Sequence, residues 1–173
     1  MGTITLITGG ARSGKSMHAL KLALPYQRKF FVATGEALDD EMTARIEFHR
    51  TTRPSDFQTV EEPAKVVAAL EKIGRGADLV VLDCLTLWVS NLMQRSSVDD
   101  DRVLTEADKL AAALKEAAFA SIVVTDEVGA GIVPTDHAES RRFRDLLGWT
   151  NQKVAAAADR VLLMVAGYPL IVK

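Results

Sequence analysis

The fold of this chain is indicated first by the octapeptide Gly9-Gly10-Ala11-Arg12-Ser13-Gly14-Lys15-Ser16. It matches the pattern G-x-x-x-x-G-K-[ST] and follows the β-branched run 3–8, which predicts a strand. A helix is predicted directly after it, ending before Pro25. In this context the glycines let backbone N–H groups surround phosphate oxygens, and the helix N-terminus adds positive potential. The octapeptide therefore predicts a P-loop that holds a nucleotide triphosphate.

Three side chains receive predicted roles at this loop. Lys15 is expected to reach the β- and γ-phosphates, and the Ser16 hydroxyl is expected to ligate Mg²⁺. Asp83 ends the apolar run 78–83, which is typical of a buried parallel strand, and its carboxylate suits the same Mg²⁺. The alternative for Asp83 is an N-cap of a helix that begins near Thr86. The metal role is favoured, and both interpretations stay open.

Strands and helices are predicted to alternate along one domain, residues 1–173. This order favours an α/β fold with a doubly wound, mostly parallel sheet and an antiparallel edge strand, whose ligands lie at the carboxyl ends of the strands. The polar stretch 96–101 is predicted to be an exposed loop. Strands are predicted at 3–8, 29–33, 57–60, 78–83, 121–126, 161–165 and 170–172, and helices at 39–52, 64–73, 86–93, 104–118 and 140–158, besides the one after the P-loop.

The composition of the chain indicates which kinds of binding partner are to be expected. The chain has 21 Lys and Arg against 23 Asp and Glu, a net charge of −2, which gives no general attraction to nucleic acid or anionic membranes. Cys84 is the only cysteine, so no intramolecular disulfide can form. No targeting segment or apolar run of membrane-spanning length is visible, and a cytoplasmic location is expected.

His49 is a candidate nucleophile with an open alternative. It lies near Arg45, Arg50 and Arg53, and such arginines can bind a phosphate chain through paired N–H groups. A neutral imidazole beside them could attack phosphorus and form a phosphoramidate. From spacing alone, a solvated histidine on a helix face is the commoner outcome. His18 and His137 have no supporting context.

A second acidic pair follows another predicted strand. Asp126 ends the predicted strand 121–126 and Glu127 follows it, so one of them could act as a general base or could organise water or metal. The other would only cap a loop. The sequence does not decide between them.

Taken together, these motifs resemble one known family, the bifunctional adenosylcobinamide kinase / adenosylcobinamide-phosphate guanylyltransferases of cobalamin biosynthesis. The resemblance spans essentially the whole chain. It is carried by the octapeptide together with Ala33-Thr34, Asp39-Asp40-Glu41-Met42, Arg45-Ile46, His49-Arg50, Arg53-Pro54, Glu127-Val128-Gly129, Gly131-Ile132-Val133-Pro134, Arg142-Phe143-Arg144-Asp145, Asn151-Gln152 and the segment 155–159.

The resemblance implies two reactions on a RecA-like P-loop domain that assembles as a homotrimer. Adenosylcobinamide would be phosphorylated with GTP or ATP, and GMP would then pass from GTP to adenosylcobinamide phosphate through a guanylylated histidine, here His49, with release of pyrophosphate. Lys15 would be the other catalytic residue. Nucleotide contacts would map to Gly9, Gly10, Ala11, Arg12, Ser13, Gly14, Lys15, Ser16, Ala33, Thr34, Gly35, Arg50, Thr51, Thr52, Arg53, Glu61 and Asp83, with Ser16 and Asp83 on Mg²⁺.

This chain departs from the family pattern at two acidic positions. Many relatives have Glu where this chain has Asp83, which shortens the carboxylate arm. Several have Asn where this chain has Asp126, which adds a negative charge near the site. The competing hypotheses are a single-activity P-loop kinase with a structural His49, and a nucleotide-binding regulator without catalysis.

Overall fold

Strands and helices alternate in the computed structural model, which describes residues 2–37, 39–95, 99–131, 135 and 137–173, with only the backbone of residue 45. The strands are β1 (Ile4–Gly9), β2 (Lys29–Ala33), β3 (Phe57–Glu61), β4 (Leu79–Asp83), β5 (Ala120–Val124), β6 (Arg160–Val165) and β7 (Tyr168–Ile171). The helices are α1 (Lys15–Leu22), α2 (Asp40–Thr52), α3 (Val66–Ile73), α4 (Leu85–Met93), α5 (Asp100–Glu116) and α6 (Ala138–Ala157), with a 3₁₀ turn at Gly74–Gly76.

The strands form one sheet in the order β3-β2-β4-β5-β1-β6-β7. All neighbouring pairs are parallel except β6 and β7, which are antiparallel. The predicted parallel sheet with an antiparallel edge strand is therefore confirmed. Val124 of β5 lies in register with Ile7 of β1 and with Asp83 of β4. The carboxyl ends of these three central strands consequently meet at one edge of the sheet.

Alternating apolar side chains build a core on each face of the sheet. Leu79 and Val81 of β4 pack on the face covered by α1, and Val80 and Leu82 pack on the opposite face, around Trp88. Helices α3 to α6 cover that second face. Strands buried on both faces read as continuous apolar runs, which is why β4 could be recognised in the sequence.

The predicted helix boundaries are corrected at α5. This helix begins at Asp100 rather than at residue 104, because the Asp99 carboxylate caps it and accepts a hydrogen bond of 2.9 Å from the Arg102 N–H. The prediction that 96–101 is an exposed loop is therefore wrong for Asp100 and Asp101, and residues 96–98 lie outside the described residues. Within the described ranges, no helix is long and apolar enough to cross a membrane.

Candidate functional site

The octapeptide forms a loop between β1 and α1, with backbone angles that favour glycine. Gly9 has φ +151° and Gly14 has φ +96°. A Cβ on Gly9 would lie 2.7 Å from the Met164 carbonyl oxygen, so a larger residue would not fit there. Lys15 is the first residue of α1, which places the loop at the N-terminal end of that helix. This is the backbone geometry of a phosphate-binding site.

The Lys15 ammonium group lies inside the loop and is almost fully buried. Its Nζ donates a hydrogen bond of 2.7 Å to the Gly10 carbonyl and forms an ion pair of 2.7 Å with the Asp126 carboxylate. Only 9% of the Lys15 side chain is exposed. A buried ammonium held at two points presents its positive charge in a fixed place, where a nucleotide phosphate would be bound.

Ser16 and Asp83 form the second polar pair at this edge. The Ser16 hydroxyl donates a hydrogen bond of 2.9 Å to the Asp83 carboxylate. Burial raises the pKa of Asp83, whereas the Ser16 hydrogen bond and the charge of His49 act in the opposite direction. The residue at the N-cap of α4 is Cys84, so the alternative prediction of Asp83 as that N-cap is wrong.

The chemistry of these two oxygen donors fits Mg²⁺. This ion is held by one or two protein oxygen ligands, with phosphate oxygens and water completing its octahedron. No cluster of three or more His, Cys, Asp and Glu side chains that could hold a metal exists in the described part of the chain. A site of this composition would therefore need the nucleotide to complete the coordination of the metal.

A cavity of about 690 Å³ joins the P-loop to the residues of α2. Its size is that of a small-molecule site. Most of the predicted contact residues line it, from the P-loop and the start of α1 on one side and from α2 and the carboxyl ends of β2, β3 and β4 on the other. They are Ala11, Arg12, Ser13, Gly14, Lys15, Ser16, Ala33, Gly35, His49, Arg50, Arg53, Glu61 and Asp83.

Arg53 is the most firmly placed cation on the α2 side. Its guanidinium carbon lies 3.6 Å from the centroid of the Phe31 ring, and its Nη1 donates a hydrogen bond of 2.6 Å to the Thr59 hydroxyl. Burial lowers the pKa of Arg53, and the nearby carboxylates of Asp83 and Glu61 oppose this effect. The stacked ring and the hydroxyl fix the direction of the guanidinium group.

Two buried polar atoms in residues that line this cavity have no hydrogen-bond partner among the described residues. They are Nε of Arg53 and Oγ of Ser13. Leaving such a group unpaired costs about 1–3 kcal/mol, which a ligand with hydrogen-bonding oxygens would recover. Both atoms belong to predicted nucleotide contacts, and a phosphate chain offers the acceptors that they lack.

Five predicted contacts do not line the cavity: Gly9 and Gly10 of the loop, and Thr34, Thr51 and Thr52. The Thr34 hydroxyl is buried and exchanges two hydrogen bonds with the Cys84 backbone, at 2.7 and 2.8 Å. The hydroxyls of Thr51 and Thr52 donate to carbonyls of their own helix, Glu47 and Phe48. Two further parts of the prediction lie outside the described residues. They are the side chain of Arg45, a candidate phosphate ligand, and the segment 132–134, which carries part of the resemblance to the family.

Two residues hold the backbone in place at the carboxyl end of β5, and local sequence does not indicate this role. The Thr86 hydroxyl accepts a hydrogen bond of 2.9 Å from the Asp126 N–H. The Asn151 amide donates a hydrogen bond of 3.1 Å to the Asp126 carbonyl and accepts one of 2.7 Å from the Thr125 hydroxyl. These contacts join α4 and α6 to the end of β5, and only the three-dimensional fold brings them together.

The loop, the strand order and the Ser16–Asp83 pair define the class of the molecule, a P-loop nucleotide-binding domain. Among solved structures, an ATPase from the type III secretion system of pathogenic bacteria is similar in fold, with a TM-score of 0.56 and 16% identity. The match covers 94% of this chain and 51% of that one. At this identity, the similarity concerns the fold alone.

Sequence comparison identifies the family. The family model for cobinamide kinase / cobinamide phosphate guanyltransferase matches residues 5–172. The bifunctional adenosylcobalamin biosynthesis protein CobU of Escherichia coli (strain K12) is 38% identical, over 97% of this chain and 98% of its own length. Its counterpart CobP of Pseudomonas aeruginosa is 40% identical, over 97% of this chain and 96% of its own. The chain belongs to this family and is a bifunctional kinase and guanylyltransferase of adenosylcobalamin biosynthesis.

Proposed function

We propose that this enzyme uses the two sides of its cavity in two successive group transfers, with His49 as the carrier of GMP. The observation that supports the proposal is that one cavity of about 690 Å³ is lined both by the P-loop and by His49, Arg50 and Arg53. Adenosylcobinamide would be the first acceptor, and adenosylcobinamide phosphate the second.

In the kinase step, the P-loop would hold the triphosphate of GTP or ATP. The acceptor hydroxyl oxygen would form a bond to the γ-phosphorus while the bond from that phosphorus to the β–γ bridging oxygen breaks, and the hydroxyl proton would be released to solvent. Lys15 would stabilise the charge that develops on the transferred phosphoryl group. Ser16 and Asp83 would hold Mg²⁺, which supplies electrostatic screening of the phosphates.

In the transferase step, an imidazole nitrogen of His49 would attack the α-phosphorus of GTP. The phosphorus–nitrogen bond forms as the bond to the pyrophosphate leaving group breaks, and Arg50 and Arg53 would stabilise the added negative charge. A phosphate oxygen of adenosylcobinamide phosphate would then attack the same phosphorus and release His49. The products are adenosylcobinamide-GDP and pyrophosphate.

The proposal includes an assembly and a location. A homotrimer would cover part of the apolar edge at β7, where Tyr168, Leu170, Ile171 and Val172 are all exposed. One domain, residues 1–173, would carry both activities. Its nucleotide substrates and its single unpaired cysteine, Cys84, agree with the predicted cytoplasmic location. No nucleic-acid partner is proposed, since the net charge is −2.

Incubation with α-³²P-labelled GTP tests the role of His49. We expect a protein-bound label that is stable to base and labile to acid, as a phosphoramidate is, and that disappears in His49→Ala. The chain has three histidines, so His18→Ala and His137→Ala are matched controls that should keep the label. Labelling that survives in His49→Ala, or no labelling of the wild type during turnover, would contradict this assignment.

A further inference from the structure

The ion pair between Lys15 and Asp126 lies where the nucleotide phosphates are expected. Lys15 has three N–H donors, of which one is used by the Gly10 carbonyl and another by the Asp126 carboxylate. A phosphate oxygen that reaches Lys15 either displaces this carboxylate or lies beside it. In both cases the anionic Asp126 opposes the anionic phosphate.

The Asp126 backbone is held close to the loop by three elements. Its N–H is bonded to Thr86 of α4 and its carbonyl to Asn151 of α6. On either side, the Thr125 N–H donates to the Ile7 carbonyl and the Glu127 N–H donates to the Gly9 carbonyl, both at 3.0 Å. Because the backbone is fixed on both sides, the carboxylate can turn away from Lys15 only by side-chain rotation and stays near the phosphates.

We infer that Asp126 competes with the nucleotide triphosphate for Lys15 and so weakens nucleotide binding in this chain. The inference rests on the proposed function of Lys15 as a phosphate ligand. An amide at position 126 cannot form this ion pair because it carries no charge. Replacing this carboxylate by an amide of the same shape should therefore change how tightly the P-loop binds phosphate.

The test is a binding measurement on Asp126→Asn by titration calorimetry. The probes are the non-hydrolysable GTP analogue with a β,γ-imido bridge and inorganic tripolyphosphate, each with Mg²⁺. We expect both probes to bind about tenfold more tightly to the variant than to the wild type, which corresponds to about 1.4 kcal/mol. Tripolyphosphate isolates the phosphate contact, because it has no base or ribose.

Control variants separate local competition from a change in net charge. Asp108 forms an ion pair of 2.7 Å with Lys153 on the surface, so Asp108→Asn removes the same charge away from the P-loop and should leave both affinities unchanged. Asp126→Ala should tighten binding as Asp126→Asn does, and Asp126→Glu, which keeps the charge, should not. Thermal unfolding of each variant verifies that the fold is retained.

The possible results distinguish the competition at Asp126 from the binding of phosphate by the P-loop. Unchanged or weaker binding by Asp126→Asn and Asp126→Ala, with binding by the wild type intact, overturns the competition alone. No binding of either probe by the wild type or any variant overturns the P-loop assignment and the competition with it. A gain of the same size in Asp108→Asn assigns the effect to net charge and likewise overturns the role of Asp126.

Discussion

Asn151 allows a quantitative test of how α6 supports the site. Its side chain is buried and bridges two groups at the end of β5, the Thr125 hydroxyl and the Asp126 carbonyl. In Asn151→Ala, the Thr125 hydroxyl loses its acceptor in a position where it has no exposure, which costs about 1–3 kcal/mol. The Asp126 carbonyl is only partly buried, and its lost hydrogen bond adds about 1 kcal/mol.

The expected loss for Asn151→Ala is therefore about 2–4 kcal/mol in the free energy of unfolding. For a domain of this size, about 2–4 °C in Tm corresponds to each kcal/mol, so Tm should fall by about 4–16 °C. Urea unfolding followed by circular dichroism measures the free energy, and calorimetry measures Tm. Asn151→Asp is the matched variant, because it keeps the acceptor for Thr125 but cannot donate to the Asp126 carbonyl.

A double-mutant cycle with Thr125→Val isolates the buried hydrogen bond. Valine removes the hydroxyl that Asn151→Ala leaves unpaired. The loss in the free energy of unfolding of the double variant should therefore be smaller than the sum of the two single losses, by about 1–2 kcal/mol. Additive losses would show that the 2.7 Å contact between Thr125 and Asn151 contributes no coupling, and the reasoning would be refuted.

Three further predictions concern other positions at the site. Burial raises the pKa of Asp83, so the folded state favours its neutral carboxyl. The stability that this preference gives is fully present below the unfolded pKa and is lost as pH rises through the folded value, so the ionised carboxylate destabilises the fold at neutral pH. Asp83→Asn should therefore unfold at a higher urea concentration than the wild type at pH 7 while losing Mg²⁺-dependent kinase activity. Burial raises the pKa of Cys84 to about 12, so the native thiol should react with a disulfide reagent at pH 8 far more slowly than the unfolded one. Lys15→Ala should abolish γ-phosphoryl transfer, and retained transfer would exclude its role.

Much of the fold could be predicted from the sequence, because the signals involved are local. The apolar run of β4 and the proline-containing edge strand β7 lie close to the predicted positions. The start of α5 was missed, although Asp99 and the two acidic residues after it are a typical helix N-terminus. The residues that cap the helix are therefore visible in the sequence, but the polar stretch that contains them was predicted to be a loop.

The interactions at the site were harder to predict, because they join residues far apart in the chain. Asp83 was expected near the P-loop, and the structure places its carboxylate 2.9 Å from the Ser16 hydroxyl. The ion pair of Lys15 with Asp126 depends on β5 lying beside β1, which composition and periodicity do not specify. The role of Thr34 was difficult to predict for a different reason. A threonine whose hydroxyl bonds to the backbone cannot be distinguished in the sequence from one whose hydroxyl bonds to a ligand.

The distribution of charge explains why phosphate binding at this edge needs more than the loop. The ammonium of Lys15 is paired with Asp126, and the Asp83 carboxylate is bonded to Ser16 at the same edge, so these carboxylates offset much of the positive charge that Lys15 and Arg12 bring to the loop side of the cavity. A triphosphate is strongly anionic, and two sources of positive charge remain to balance it. One is Mg²⁺ on Ser16 and Asp83, as proposed, and the other is the arginines that line the cavity, with Arg53 held in place on Phe31. If the proposal is right, Arg50 and Arg53 on the His49 side of the cavity would contribute to nucleotide binding as well as to the transfer of GMP.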